Sequence, residues 1–127
     1  MLETEVFRFE PDITGISCAG RFTLGNRLRE MEGLVNSLIK DGARKLVIDL
    51  THVEFVDSAG LGVIMHASGE MEHRGGQLRI SGAREQVRRL FDITHTGAIL
   101  ALDADLVTSV KKLQGGEANA ASQPSSI

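Results

Sequence analysis

At 127 residues the chain fits one domain, long enough to bury a core without disulfides or a structural metal. Hydrophobic residues make up 42% and charged residues 24%, which excludes a wholly disordered chain, and a net charge of −3 argues against a dedicated nucleic-acid binder. The opening MLETEVFRFE has neither a basic nor an apolar leader region, and no apolar run approaches the ~18 residues of a membrane span, so the expectation is a cytoplasmic protein without membrane or direct nucleic-acid contact.

Val6, Phe7 and Phe9 begin a strand-like segment, Pro11-Asp12 predicts a turn, and ITGISCAG returns as a second β-branched stretch ending at Gly20. Cys18, the sole cysteine, is expected as a small buried apolar side chain in that strand, because one thiol makes neither a disulfide framework nor a zinc site. From Leu24 the period changes: Leu24, Leu28, Met31, Val35 and Leu38, widened by Leu34 and Ile39, predict an amphipathic helix that stops near Asp41-Gly42. KLVIDL then suits a strand buried on both faces of a parallel sheet.

Thr51 to Val56 is expected to be a short connection, after which VDSAGLGV opens a second helix carrying Leu61, Ile64, Met65, Ser68 and Met71 as far as Gly75-Gly76. QLRIS predicts another strand, AREQVRRLFDI a helix burying Val87, Leu90 and Phe91, AILAL a last strand, and Asp103 to Leu113 a closing helix. Strands alternating with helices imply an α/β domain, with a mainly parallel or mixed sheet of four to five strands and about four helices over residues 1–113. Residues 114–127, poor in large apolar side chains and rich in Gly, Ser and Ala, are expected to form a flexible tail.

Ser58, between Asp57 and a glycine-rich turn, is where function concentrates. A nucleophilic serine needs a base, and of His52, His66, His73 and His95 the sequence places none beside it; the elbow G-x-S-x-G is absent because Val56 stands where its first glycine belongs. A phosphate cradle would need the lysine of a P-loop or the full dinucleotide fingerprint, which G-L-G lacks. Asp49, Glu54 and Asp57 lie in one loop region, but no second cluster completes a metal or glycosidase site, so neither cofactor nor metal is expected.

Serine is also a preferred helix N-cap, worth ~1 kcal/mol over alanine. Gly60 and Gly62 each weaken the first turn by roughly 0.5–1 kcal/mol, which suggests close approach by another chain or a turn kept accessible. Ser58 then reads as a cap that is also a substrate, its hydroxyl exposed at a helix N-terminus where the dipole tolerates a phosphoryl group. A hydrolase or nucleotide-binding enzyme is the contrasting class, with no positive feature behind it.

VIDLTHVEFVDSAGLGVI followed by GGQLRISGAREQVRRLFDIT resembles the STAS domains of bacterial anti-sigma factor antagonists, the SpoIIAA/RsbV type, from about Val6 to Leu113. The resemblance implies a non-enzymatic module that binds an anti-sigma factor with serine-kinase activity, is released by phosphorylation, and is restored by a metal-dependent serine phosphatase. It makes Ser58 the phosphoacceptor and implies a partner surface of Asp57, Ser58, Ala59, Gly60, Leu61, Gly62 and, from the first connection, Thr23. Many members carry Ser or Thr where this chain has Ala59, which leaves Ser58 the only hydroxyl in the turn; Arg21-Phe22-Thr23 replaces an acidic segment, which alters the face offered to a partner. Arg84, Arg88 and Arg89 are expected on a solvated helix face. The alternative within the same fold is a STAS interaction module of a stress-signalling or transporter-associated complex without sigma-factor control.

Overall fold

The computed structural model describes residues 1–115, so the tail expected over 114–127 lies, from residue 116 onward, outside the described residues. Strands β1 (Leu2–Phe9) and β2 (Ile13–Phe22) form an antiparallel pair around the Pro11-Asp12 turn, as their alternation requires. Then α1 (Asn26–Lys40), β3 (Lys45–Val56), α2 (Ser58–His73), β4 (Gln77–Ser81), α3 (Glu85–Ile93), β5 (Ala101–Asp103) and α4 (Leu106–Gln114) follow in sequence. The sheet has the spatial order β1-β2-β3-β4-β5, parallel from β2 onward, which is the α/β fold expected.

Helix α1 buries Leu28, Met31, Val35 and Ile39, one stripe at helical spacing, and ends where Gly42 adopts φ 106° and donates to the Ile39 carbonyl. Leu24, expected as the first residue of that stripe, precedes the helix and is 72% exposed, because the chain is still extended at Gly25. Side chains of α1, α2 and α3 join Leu46, Ile48, Leu50 and Ile80 in the main core on one face of the sheet. On the other face α4 covers Ile13 and Val47 with Val110 and Leu113.

Strand β3 is longer than expected. Thr51–Val56, anticipated as a connection, continues the strand and pairs with β2 as far as Phe22↔Val56. Two register shifts, opposite Ser17–Ala19 and opposite Gly20–Arg21, each give β3 an extra residue. The residues it sends into the main core are therefore Leu46, Ile48, Leu50, Val53 and Val56, a spacing of two that lengthens to three at the bulges. That broken alternation is what hid the second half of the strand. The last strand is also displaced: Thr96–Ala98 form a 3-10 turn, Ile99 is exposed, and β5 starts at Ala101.

Asp103, expected at the start of the closing helix, instead ends β5 and is buried, while Asp105 caps α4 by accepting from Thr108 N at 2.8 Å. The Asp103 carboxylate binds Arg79 in two places, at 2.6 and 3.1 Å, and accepts from Ser109 Oγ at 2.6 Å and Lys112 Nζ at 3.0 Å, tying β4, β5 and α4 together. Burial alone would raise this carboxyl; the bonds from Arg79, Ser109 and Lys112 outweigh it and hold it down at about 2. A depressed native value stabilises the fold above the ordinary carboxyl range and is lost as pH falls through about 2. The difference in urea-unfolding free energy between wild type and Asp103→Asn should therefore be largest near neutral pH, and shrink by roughly 2 kcal/mol between pH 5 and 2. A pH-independent difference would show that the network is not what depresses this carboxyl.

Candidate functional site

The site is built where β3 hands over to α2. Val56 is buried as the last residue of β3, Asp57 takes extended backbone angles, and Ser58 is the first residue of the helix. The N-cap is therefore Asp57, not Ser58 as the sequence suggested. Asp57 Oδ1 accepts from Gly60 N at 2.8 Å, the side-chain-to-third-residue bond of a helix cap. Asp57 is the shorter route to that donor, since an N-cap side chain must start one residue before the helix begins.

The second carboxylate oxygen is also engaged. Asp57 Oδ2 accepts from Leu24 N at 3.0 Å, and Asp57 N donates to the Phe22 carbonyl at 3.5 Å, so the loop joining β2 to α1 is stitched to the start of α2. Partial burial would raise the Asp57 carboxyl, but the backbone N–H groups of Leu24, Gly60 and Ala59 hold it below the ordinary carboxylate range. Asp57 is thus an anion fixed beside the serine. Thr23, half-buried, sits in the stitched loop, and Leu24 next to it projects into solvent.

Ser58 is exposed, and among the described residues no hydrogen bond to its hydroxyl is made. His66 and His73 lie exposed on α2, His52 is exposed on β3, and His95 is exposed beyond α3 at φ 60°. Asp49 and Glu54, expected in a loop with Asp57, are on β3; Asp49 is buried and accepts from Thr51 Oγ1 at 2.7 Å and Ser81 Oγ at 2.8 Å. No group of three or more metal-ligating side chains is placed to hold an ion among the described residues. Cys18 is fully buried on β2, and burial, followed by the nearby Asp49 charge, pushes its thiol up to about 12, consistent with the apolar role expected of it.

The two glycines have different causes. Gly60 is buried, and a Cβ there would collide with the Phe22 carbonyl oxygen, so its absent side chain lets α2 close against β2 within the same chain. Gly62 is exposed with open space around it, and nothing among the described residues requires it. Ala59 and Leu61 are half-buried against the main core. What the turn offers to solvent is therefore Ser58 and Gly62, one helical turn apart, with Leu24 on the adjoining loop. Leu24 was missed because its spacing continues the α1 stripe; Gly25 after it was the signal that the helix had not begun.

The model of the family described as "STAS domain" matches residues 7–111. The anti-sigma-B factor antagonist of Listeria monocytogenes is 31% identical over 101 residues, covering 80% of this chain and 88% of that protein. That of Staphylococcus aureus is 31% identical over 65 residues, and the match spans only 60% of its length and 51% of this chain. Among solved structures, an anti-sigma factor antagonist from Mycobacterium paratuberculosis superposes with TM-score 0.81 at 19% identity, covering 91% of this chain and 96% of that one. The Bacillus cell fate determinant SpoIIAA in its phosphorylated form gives 0.71 at 14% identity, covering 88% and 100%. At these identities the structures bear on the fold.

Gly60→Ala should destabilise the protein by about 2 kcal/mol or more through the backbone clash, whereas Gly62→Ala should stabilise it by ~0.5–1 kcal/mol through helix propensity. Denaturant unfolding of the pair gives the comparison, and a Gly60 variant as stable as wild type would contradict the packing of α2 on Phe22.

Proposed function

The chain belongs to the STAS domain family, and from that premise we propose that it is an anti-sigma factor antagonist: it binds an anti-sigma factor with serine-kinase activity and is switched off by phosphorylation of Ser58. The observation that carries this is the division of labour at the start of α2. Asp57 does the capping, so the Ser58 hydroxyl is exposed and uncommitted at the helix N-terminus. A serine needed for capping would lose its structural bond on modification; this one loses none.

Phosphoryl transfer forms a bond from Ser58 Oγ to the γ-phosphorus of ATP as its bond to the β–γ bridging oxygen breaks, ADP leaves, and the hydroxyl proton passes to a base. The kinase is expected to supply that base, since no side chain among the described residues bonds to the hydroxyl. The product adds a charge of about −1.5 to −2 at a helix end whose dipole favours anions, so the fold accommodates it. Asp57, already ionised and held by Leu24 and Gly60, stands next to it and opposes it. A partner docked over Ser58, Gly62 and Leu24 would have to bury both charges, at a cost of several kcal/mol, on the order of a thousandfold in affinity. Release then needs no refolding, and hydrolysis of the phosphoserine by a metal-dependent serine phosphatase would restore binding. Relatives named anti-sigma-B factor antagonists and a fold neighbour solved in a phosphorylated form support this assignment.

Incubation with ATP and an anti-sigma serine kinase that captures the chain should place one phosphate on Ser58 by peptide mapping. Modification at another residue, or none, sinks the proposal. Ser58→Ala should keep the complex in the presence of ATP, and Ser58→Asp should weaken it; equal affinities for these two variants would count against an electrostatic switch.

A further inference from the structure

We propose that Gln86 is a positioning residue for Ser58: its side-chain amide replaces a missing strand beside the end of β3 and holds rigid the turn that presents the phosphoacceptor. The inference rests on the assignment of Ser58 as that acceptor.

β4 pairs with β3 only from Lys45 to Asp49. Beyond that point β3 runs on to Val56 with β2 on one side and, among the described residues, no strand on the other. The N–H and C=O of one strand residue point to the same edge, so Val56 would leave a donor and an acceptor unpaired there. Gln86, on the first turn of α3, takes both: its Oε1 accepts from Val56 N at 3.0 Å and its Nε2 donates to Val56 O at 3.1 Å. A primary amide carries the same donor and acceptor as a peptide unit, so one side chain does the work of a strand neighbour. Arg84 extends the substitution lower down, donating from Nη2 to the Thr51 carbonyl at 3.0 Å on the same open stretch.

Two further observations place weight on this contact. Glu85, directly before Gln86, has φ 47°, a conformation that a residue with a side chain keeps only where its surroundings impose it. Val56 is also two residues from Ser58, and the opposite side of the turn is held from β2 through Phe22 and the Leu24 N–H. The turn is thus clasped from both sides, and Gln86 is the clasp from α3. Without it Val56 loses the partners it has on that edge among the described residues, and the Ser58 hydroxyl is free to shift relative to an incoming phosphoryl group. Shifts of this kind act on the chemical step, about a hundredfold for a misplacement near 1 Å.

Ser58 phosphorylation should be timed on the full chain with the anti-sigma serine kinase that captures wild type, comparing wild type, Gln86→Ala and Gln86→Glu. Gln86→Ala should lower kcat roughly tenfold or more while KM and the affinity of the complex without ATP stay within about twofold. Amide exchange at Val56 should quicken by about tenfold, with Ile48 and Ile80 unchanged. Gln86→Glu keeps an acceptor for Val56 N but loses the donor to Val56 O; it should fall between the two, and it serves if the alanine variant does not fold. Wild-type kcat in both variants, or a change confined to KM, would overturn the positioning role while leaving Ser58 as acceptor. Absence of phosphate on wild-type Ser58 would overturn the acceptor assignment and this inference with it.

Discussion

The start of α2 depends on one carboxylate. Asp57 has two oxygens, and each is committed: Oδ1 to the Gly60 N–H that the helix cannot satisfy internally, Oδ2 to the Leu24 N–H of a loop 33 residues earlier in the chain. A neutral cap such as serine has one oxygen and could do the first task but not the second. The charge also matters, because both donors are backbone N–H groups near a helix N-terminus, where an anion is favoured. Holding the group ionised is the direct consequence of those bonds, and it sets the electrostatic background against which any modification of Ser58 must occur.

The sheet explains why this turn is in a fixed place. Leu46 to Leu50 of β3 are buried on both faces between β2 and β4, under helices on either side, which anchors the strand at its middle. Its last seven residues leave β4 behind and continue along β2 alone, so the end of the strand reaches past the body of the sheet. Val53 and Val56 of this extension still turn into the main core, and hydrogen bonds hold its backbone. β2 contributes the Phe22 carbonyl, the first connecting loop contributes the Leu24 N–H, α3 contributes Gln86, and Arg84 just before α3 holds the Thr51 carbonyl. A segment that carries an exposed, modifiable side chain cannot be stabilised by burying that side chain; here its backbone is held instead.

Much of this was legible in the sequence. The four helices, the parallel arrangement and the buried centre of β3 follow from periodicities of 3.6 and 2 and from unbroken apolar runs, and the structure has them. Three features were not legible, for related reasons. The outer half of β3 is bulged twice, so its inward residues fall three apart and neither period fits. Leu24 continues the α1 period by coincidence, although the chain there is extended and the side chain is exposed. The capping role went to Ser58 because intrinsic preference ranks serine and aspartate alike as caps, and only the position of the first helical residue decides between them. Gln86 gave no signal at all: it is an ordinary polar residue on an amphipathic helix until the partnerless edge of β3 is seen beside it.

The glycines show how a family motif can mix two kinds of constraint. In D-S-A-G-L-G the first glycine is required by the fold, since the Phe22 carbonyl occupies the place of its side chain. The second is not, since open space surrounds it and alanine would favour the helix. Gly62 lowers helix stability and meets no neighbour among the described residues. Gly62 lies one turn above Ser58 on the same exposed face, so a side chain there would stand between the serine and anything approaching along the helix. The same segment thus carries an internal packing requirement at Gly60 and none of that kind, among the described residues, at Gly62. The hydroxyl of Ser58, two residues before Gly60, is left out of the cap because Asp57, and not the serine, closes the helix.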